Sequence, residues 1–174
     1  MMANPVFWTR IAEKYAANPV RDPAAYEATL ERVRSYLGAD DCVLELGAGT
    51  GTTATILALS VALYSVTDFS EGMIRIAKER TAAFDNVTVR QAEATDKDLW
   101  ENGYEAVMAF SLLHLVDDLD ATLRSVHRMV KPGGYFISKT VCLTGKWGLL
   151  KPVLPDMSLL GKAPNKVSFL KPAE

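Results

Sequence analysis

Three glycines, Gly47, Gly49 and Gly51, stand at alternate positions in the stretch "VLELGAGTGTTA". Glycine in ordered structure costs backbone entropy, so the cluster needs a reason. One reason is a tight strand-to-helix turn. Another is a ligand that must approach bare backbone. Asp68, at the end of "LYSVTD", supplies a partner for the second reading. Its two carboxylate oxygens match two adjacent hydroxyl donors, such as those of a ribose. The alternative for Asp68 is a helix cap. His114, in "SLLHLVDD", follows another apolar run. Its ordinary pKa suits proton removal near neutrality, and packing or loop fixing is the competing role. No cluster of His, Cys, Asp and Glu has metal-ligand spacing.

The elements that must position these residues follow from periodicity. "FWTRIAEKYAA" places Trp8, Ile11, Ala12 and Tyr15 at helical spacing. A second helix from Ala24 carries Tyr26, Leu30, Val33 and Leu37 on one face, and Gly38 closes it. "CVLELG" is a short apolar strand entering the glycine turn, and residues 52–59 read as the next helix. "LYSVTD" is a second strand, after which Ser70 caps the helix "EGMIRIAKER". "NVTVRQA" is a third strand, and "YEAVMAFS" a fourth, apolar enough to be buried on both faces. Leu119, Leu123, Val126 and Val130 form the stripe of a helix that residues 131–134 stop, and "YFISKTV" is the fifth strand. Alternating strands and helices predict an α/β fold, a parallel sheet with helices on both faces. Its ligands bind at the carboxyl edge of the strands.

The 174 residues fit one domain with one sizeable core. A net charge of −2 gives no global basic signal, so a nucleic-acid partner is not expected. From Lys131 onward lysines face only Asp156 and Glu174, which reads as a solvated rim. Cys42 and Cys142 are far apart and read as reduced thiols of a cytoplasmic protein. "MMANPVFWTR" lacks the pattern of a signal peptide, and no apolar run reaches membrane-spanning length.

Five stretches, "VLELGAGTG", "VTDFSEGMI", "RQAEATD", "EAVMAFSLLHLVDD" and "MVKPGGYFISKT", follow one another in the order and spacing of class I S-adenosylmethionine-dependent methyltransferases. The chain resembles small bacterial members of that group over nearly its whole length. The resemblance implies a Rossmann-like doubly wound sheet of five parallel strands in the order 3-2-1-4-5. It also implies S-adenosylmethionine as cofactor, a small-molecule methyl acceptor, and a monomer or homodimer. Residues 1–38 would be a helical cap, 39–142 the cofactor-binding core and 143–174 a lid or tail. In the full family fold a segment like "VSFLKPAE" opens a further helix and two strands, so a shortened domain with those elements absent is expected. The tail would then cover the fifth strand, or that edge would pair with a second copy.

The same resemblance assigns roles. Gly47, Ala48, Gly49 and Gly51 form the turn against the methionyl part of the cofactor, and Glu45 helps to hold its amino-acid end. Asp68 binds the ribose, Phe69 lies against adenine, Glu93 meets the adenine amino group and Ala94 offers its backbone N–H to the ring. Ser111 lines the pocket, and Tyr15, with Phe7 and Trp8, lies over the cofactor or packs as an apolar face. His114 is the candidate catalytic base. Two other functions compete: a cofactor-binding partner protein without methyl transfer, and a nicotinamide-dependent oxidoreductase. The second needs G-x-G-x-x-G, and its third glycine position is Thr52 here.

Overall fold

The structure, a computed structural model, describes residues 5–100, 103–140 and 167–168. Two helices lead the chain, α1 (Pro5–Ala17) and α2 (Pro23–Arg34). Asp22 starts α2 by accepting from the Ala25 N–H at 3.0 Å, and Pro23 occupies the first helical turn, where its missing N–H costs nothing. Then come β1 (Cys42–Leu46), the short α3 (Ala54–Leu57), β2 (Leu63–Asp68), α4 (Glu71–Thr81), β3 (Val87–Gln91), β4 (Tyr104–Phe110), α5 (Leu119–Met129) and β5 (Val130–Lys139).

All strand pairs are parallel and the order is β3-β2-β1-β4-β5, as the resemblance implies. The order reverses direction at β1, so the turn after β1 opens at the switch point where such sheets bind ligands. The central strands are buried on both faces. Leu44, Leu46, Val107 and Ala109 pack with Val126 and Met129 on one side. Val43, Val66, Ala106 and Met108 pack with Leu30 and Val33 on the other. A third apolar cluster joins α1 to α4 through Ala12, Met73 and Ile76. Here Gly72 permits close approach, because a Cβ on it would sit 2.8 Å from the Thr9 carbonyl oxygen.

Three elements differ from expectation. The helix after the glycine turn is only α3 followed by a 3-10 turn over Ala58–Ser60. Thr55 bonds the Thr52 carbonyl through its hydroxyl at 2.8 Å, a local bond that competes with regular helix. In α5, Leu119 and Val126 meet the core as expected, but Leu123 is exposed and Thr122, Ser125 and Met129 are buried beside Val126. Asp118 caps that helix through the Ala121 N–H at 2.8 Å. Finally, β5 starts at Val130, not after residue 134. Val130 pairs with Tyr104 and Tyr135 with Ala106, with a register shift between them that takes up residues 131–134.

Cys42 is a free thiol, and Cys142 lies outside the described residues. So does most of the expected tail, apart from Val167 and Ser168. Among the described residues no helix is long and apolar enough to cross a membrane.

Candidate functional site

The turn leaving β1 is built on left-handed backbone. Gly47, Gly49 and Gly51 have φ of 62°, 58° and 74°. An L side chain in this region costs roughly 1–2 kcal/mol, which explains glycine at each position. The Ala48 N–H donates to the Thr67 carbonyl at 2.9 Å, tying the turn to β2. The glycines then divide by what they face. A Cβ on Gly49 would meet only the Tyr15 ring, at 3.8 Å, so Gly49 faces open space. A Cβ on Gly51 would lie 3.2 Å from the Ala77 Cβ, so Gly51 lets α4 pack against the turn.

Asp68 closes the site from β2. Its Oδ2 accepts from the Gly49 N–H at 3.0 Å and its Oδ1 from the Ser70 N–H at 2.8 Å. It is buried, and burial raises its pKa against the pull of the Ser70, Gly49 and Phe69 backbone N–H groups. A carboxylate has about four lone-pair sites, so it keeps capacity for a further donor.

These groups border a pocket of about 370 Å³ at the carboxyl edge of the sheet. That size is within the range of roughly 300–1,000 Å³ for small-molecule sites. Trp8 and Tyr15 of α1 line it from one side, and Phe110, Ser111, Leu112 and His114 line it from the end of β4. Among the described residues Ser111 is the one non-glycine with positive φ, at 55°, and its N–H donates to the Lys139 carbonyl at 2.7 Å. His114 is half-buried, and burial lowers its pKa, so the imidazole is neutral near pH 7. Among the described residues its enclosed Nδ1 has no hydrogen-bond partner, and its carbonyl accepts from the Ser168 N–H at 2.6 Å.

The expected site residues therefore separate into two sets. Tyr15, Gly47, Gly49, Asp68, Phe69, Ser111 and His114 converge on the pocket. Glu45, Ala48, Gly51, Glu93 and Ala94 do not line it. Glu45 is sealed in the core, where the Tyr64 hydroxyl donates to its Oε2 at 2.8 Å and Thr53 bonds it as well. Burial, against those two hydrogen bonds, pushes its pKa up to about 7. Glu93 is exposed and its N–H donates to Asp96 at 2.9 Å, while Ala94 belongs to the core. Of the three aromatic residues of α1, Trp8 and Tyr15 reach the pocket, whereas Phe7 is buried edge-on to Trp8. Met73, Leu115, Val116 and Val167 also line the pocket. All four escaped the sequence reading; the position of Leu115 and Val116 just beyond a strand's carboxyl end was the available signal. Among the described residues no three His, Cys, Asp or Glu side chains group to hold a metal.

Residues 44–136 match the family model described as "Methyltransferase domain". The chain is 37% identical over 100 residues to a demethylmenaquinone methyltransferase of Clavibacter sepedonicus, covering 57% of this chain and 40% of that one. It is 36% identical over 105 residues to the hybrid PKS-NRPS synthetase mpsA of Macrophomina phaseolina, covering 55% of this chain and 3% of that protein. The chain thus spans well under half the length of these relatives. Among solved structures, DhpI in complex with SAH aligns at a TM-score of 0.64 and 30% identity, covering 79% of this chain and 68% of that one.

Proposed function

Because the chain belongs to the methyltransferase-domain family, we propose that it binds S-adenosylmethionine in the pocket beneath α1 and transfers the methyl group to a small-molecule acceptor. The carrying observation is the pairing of Gly49 and Asp68. Bare backbone and a partly satisfied carboxylate stand one hydrogen bond apart on the pocket wall. The residues fit the group. A side chain at position 49 would point toward the open side of the turn, and Asp68 offers a ribose two oxygens on one rigid strand end.

When bound, S-adenosylmethionine supplies an activated methyl group for in-line displacement. The chain has to align the partners and exclude water. With the cofactor bound, Asp68 would accept from the ribose hydroxyls and Phe69, also on the pocket wall, would meet the base. Trp8 and Tyr15 line the pocket from α1 and would present to the cofactor aromatic faces, which favour a cationic centre. Leu112, Leu115 and Val116 line the pocket beyond β4 and supply an apolar wall for the acceptor. His114, kept neutral by burial, takes the acceptor's proton at its imidazole.

The test is label transfer. Purified protein is incubated with methyl-labelled S-adenosylmethionine and fractions of a small-molecule extract. Label appearing in a small product is expected. Cofactor binding without label in any fraction would favour a binding protein that transfers nothing.

A further inference from the structure

We propose that Arg80 is a positioning residue for the cofactor: its guanidinium holds the glycine turn and the end of α1 at a fixed separation, and so sets the gap in which the ligand lies. The inference rests on the reading that this pocket takes S-adenosylmethionine.

Arg80 stands in the last turn of α4 and is half-buried. It does not line the pocket. Its Nη1 donates to the Thr50 hydroxyl at 2.7 Å and to the Thr52 hydroxyl at 2.6 Å. Its Nη2 donates to the Ala16 carbonyl at 2.8 Å. One planar fork thus joins two segments far apart in sequence. The Ala16 carbonyl is among the last four of α1, which have no partner inside the helix, and a cation at that end is favourable.

The residues next to these anchors form the gap. Thr50 follows Gly49, which borders the pocket from the turn. Ala16 follows Tyr15, which borders it from α1. The Tyr15 ring lies 3.8 Å from where a Cβ on Gly49 would stand. Other contacts hold the rest of α1 on α4. The Thr9 and Ser70 hydroxyls lie 3.0 Å apart, Glu13 pairs with Arg75, and Ala12 packs on Met73 and Ile76. Those polar contacts lie toward the start and middle of α1, while at its end Ala16 packs against the same apolar cluster. Loss of the Arg80 fork therefore leaves α1 docked but removes the hydrogen bonds that fix the end carrying Tyr15.

Lysine would keep the charge but not the fork, so it cannot span Thr50, Thr52 and Ala16 together. The experiment is calorimetric binding of S-adenosylmethionine and S-adenosylhomocysteine to wild type, Arg80→Gln, Arg80→Lys, Tyr15→Leu and the double variant Arg80→Gln/Tyr15→Leu. Ligand-free unfolding is followed in parallel. Arg80→Gln is expected to weaken binding by about tenfold, the size of a lost charged hydrogen bond, with Arg80→Lys nearly as weak. The Arg80→Gln loss is expected to shrink to about twofold or less in the Tyr15→Leu background, because the two residues act as one unit. Affinity within twofold of wild type for Arg80→Gln, or equal losses in both backgrounds, overturns the inference. If Arg80→Gln does not fold, the exposed Thr52→Val removes one anchor instead. It must then weaken binding in the wild-type background and not in Tyr15→Leu; any other pattern overturns the proposal. Wild type that binds neither ligand refutes the reading of the pocket, a result distinct from failure at Arg80.

Discussion

Replacing Glu45 by Gln should make stability less dependent on pH. Glu45 is fully enclosed, and Tyr64 and Thr53 donate to it. Tyr26 continues the chain, its hydroxyl 3.2 Å from that of Thr53. Burial disfavours the charged carboxylate more than these bonds favour it, so the pKa rises from the ordinary 4.5 to about 7. Between those values the folded chain holds a proton that the unfolded chain has released. The contribution is therefore full below about pH 4.5 and is lost as pH rises through about 7. At about 1.4 kcal/mol per pH unit, the whole change is on the order of 3 kcal/mol. Glutamine is neutral at every pH and its amide oxygen can still accept from Tyr64. The assay is urea unfolding of both proteins from pH 5 to 8.5, plotted as the difference in stability. Other titrating groups cancel in that difference. It should grow in favour of Gln by on the order of 2–3 kcal/mol across the range. A difference that stays flat refutes the argument and places a charged Glu45 in the core at all these pH values.

Asp68→Ala should weaken S-adenosylmethionine binding by about 10- to 100-fold, since up to two charge-assisted bonds are lost, and calorimetry measures it. Unchanged affinity removes Asp68 from the ribose site. Gly49→Ala and Gly51→Ala should separate ligand from fold. Both place a side chain at positive φ, costing roughly 1–2 kcal/mol. The Gly51 variant also crowds Ala77 at 3.2 Å and should be the less stable on thermal unfolding, while the Gly49 variant should lose more cofactor affinity. His114→Gln should lower turnover more than cofactor affinity. Wild-type turnover should fall on acidification only below His114's ordinary 6.5, because burial lowers its pKa, and the Gln variant should lack that acidic limb.

Much of this was legible in the chain. β2 spans the residues of "LYSVTD" and Ser70 caps α4 through the Met73 N–H, because strand ends and caps are set by local chemistry. The glycine turn and Asp68 were readable as one site, since a parallel sheet places both at its carboxyl edge. Glu45 was less readable. Val43 pairs with Tyr64, which puts the phenol on the face of Glu45, and only that register shows the carboxylate sealed from the pocket. Arg80 carries no local signal, because its partners Thr50, Thr52 and Ala16 come near it only in the folded chain. The stripe of α5 was legible except at Leu123, since Leu119, Val126 and Val130 all meet the core. Thr122 and Ser125 are buried on that helix while Leu123 is exposed, an arrangement that side-chain polarity alone does not reveal.

The central claim is that the pocket joining Gly49 and Asp68 takes S-adenosylmethionine. Isothermal calorimetry of the purified chain against S-adenosylmethionine, S-adenosylhomocysteine and a nicotinamide dinucleotide tests it most directly. The account predicts saturable one-to-one binding of the first two, weakened in Asp68→Ala, and none of the third. Saturable binding of the nicotinamide dinucleotide, with no heat from either S-adenosyl ligand, would contradict it.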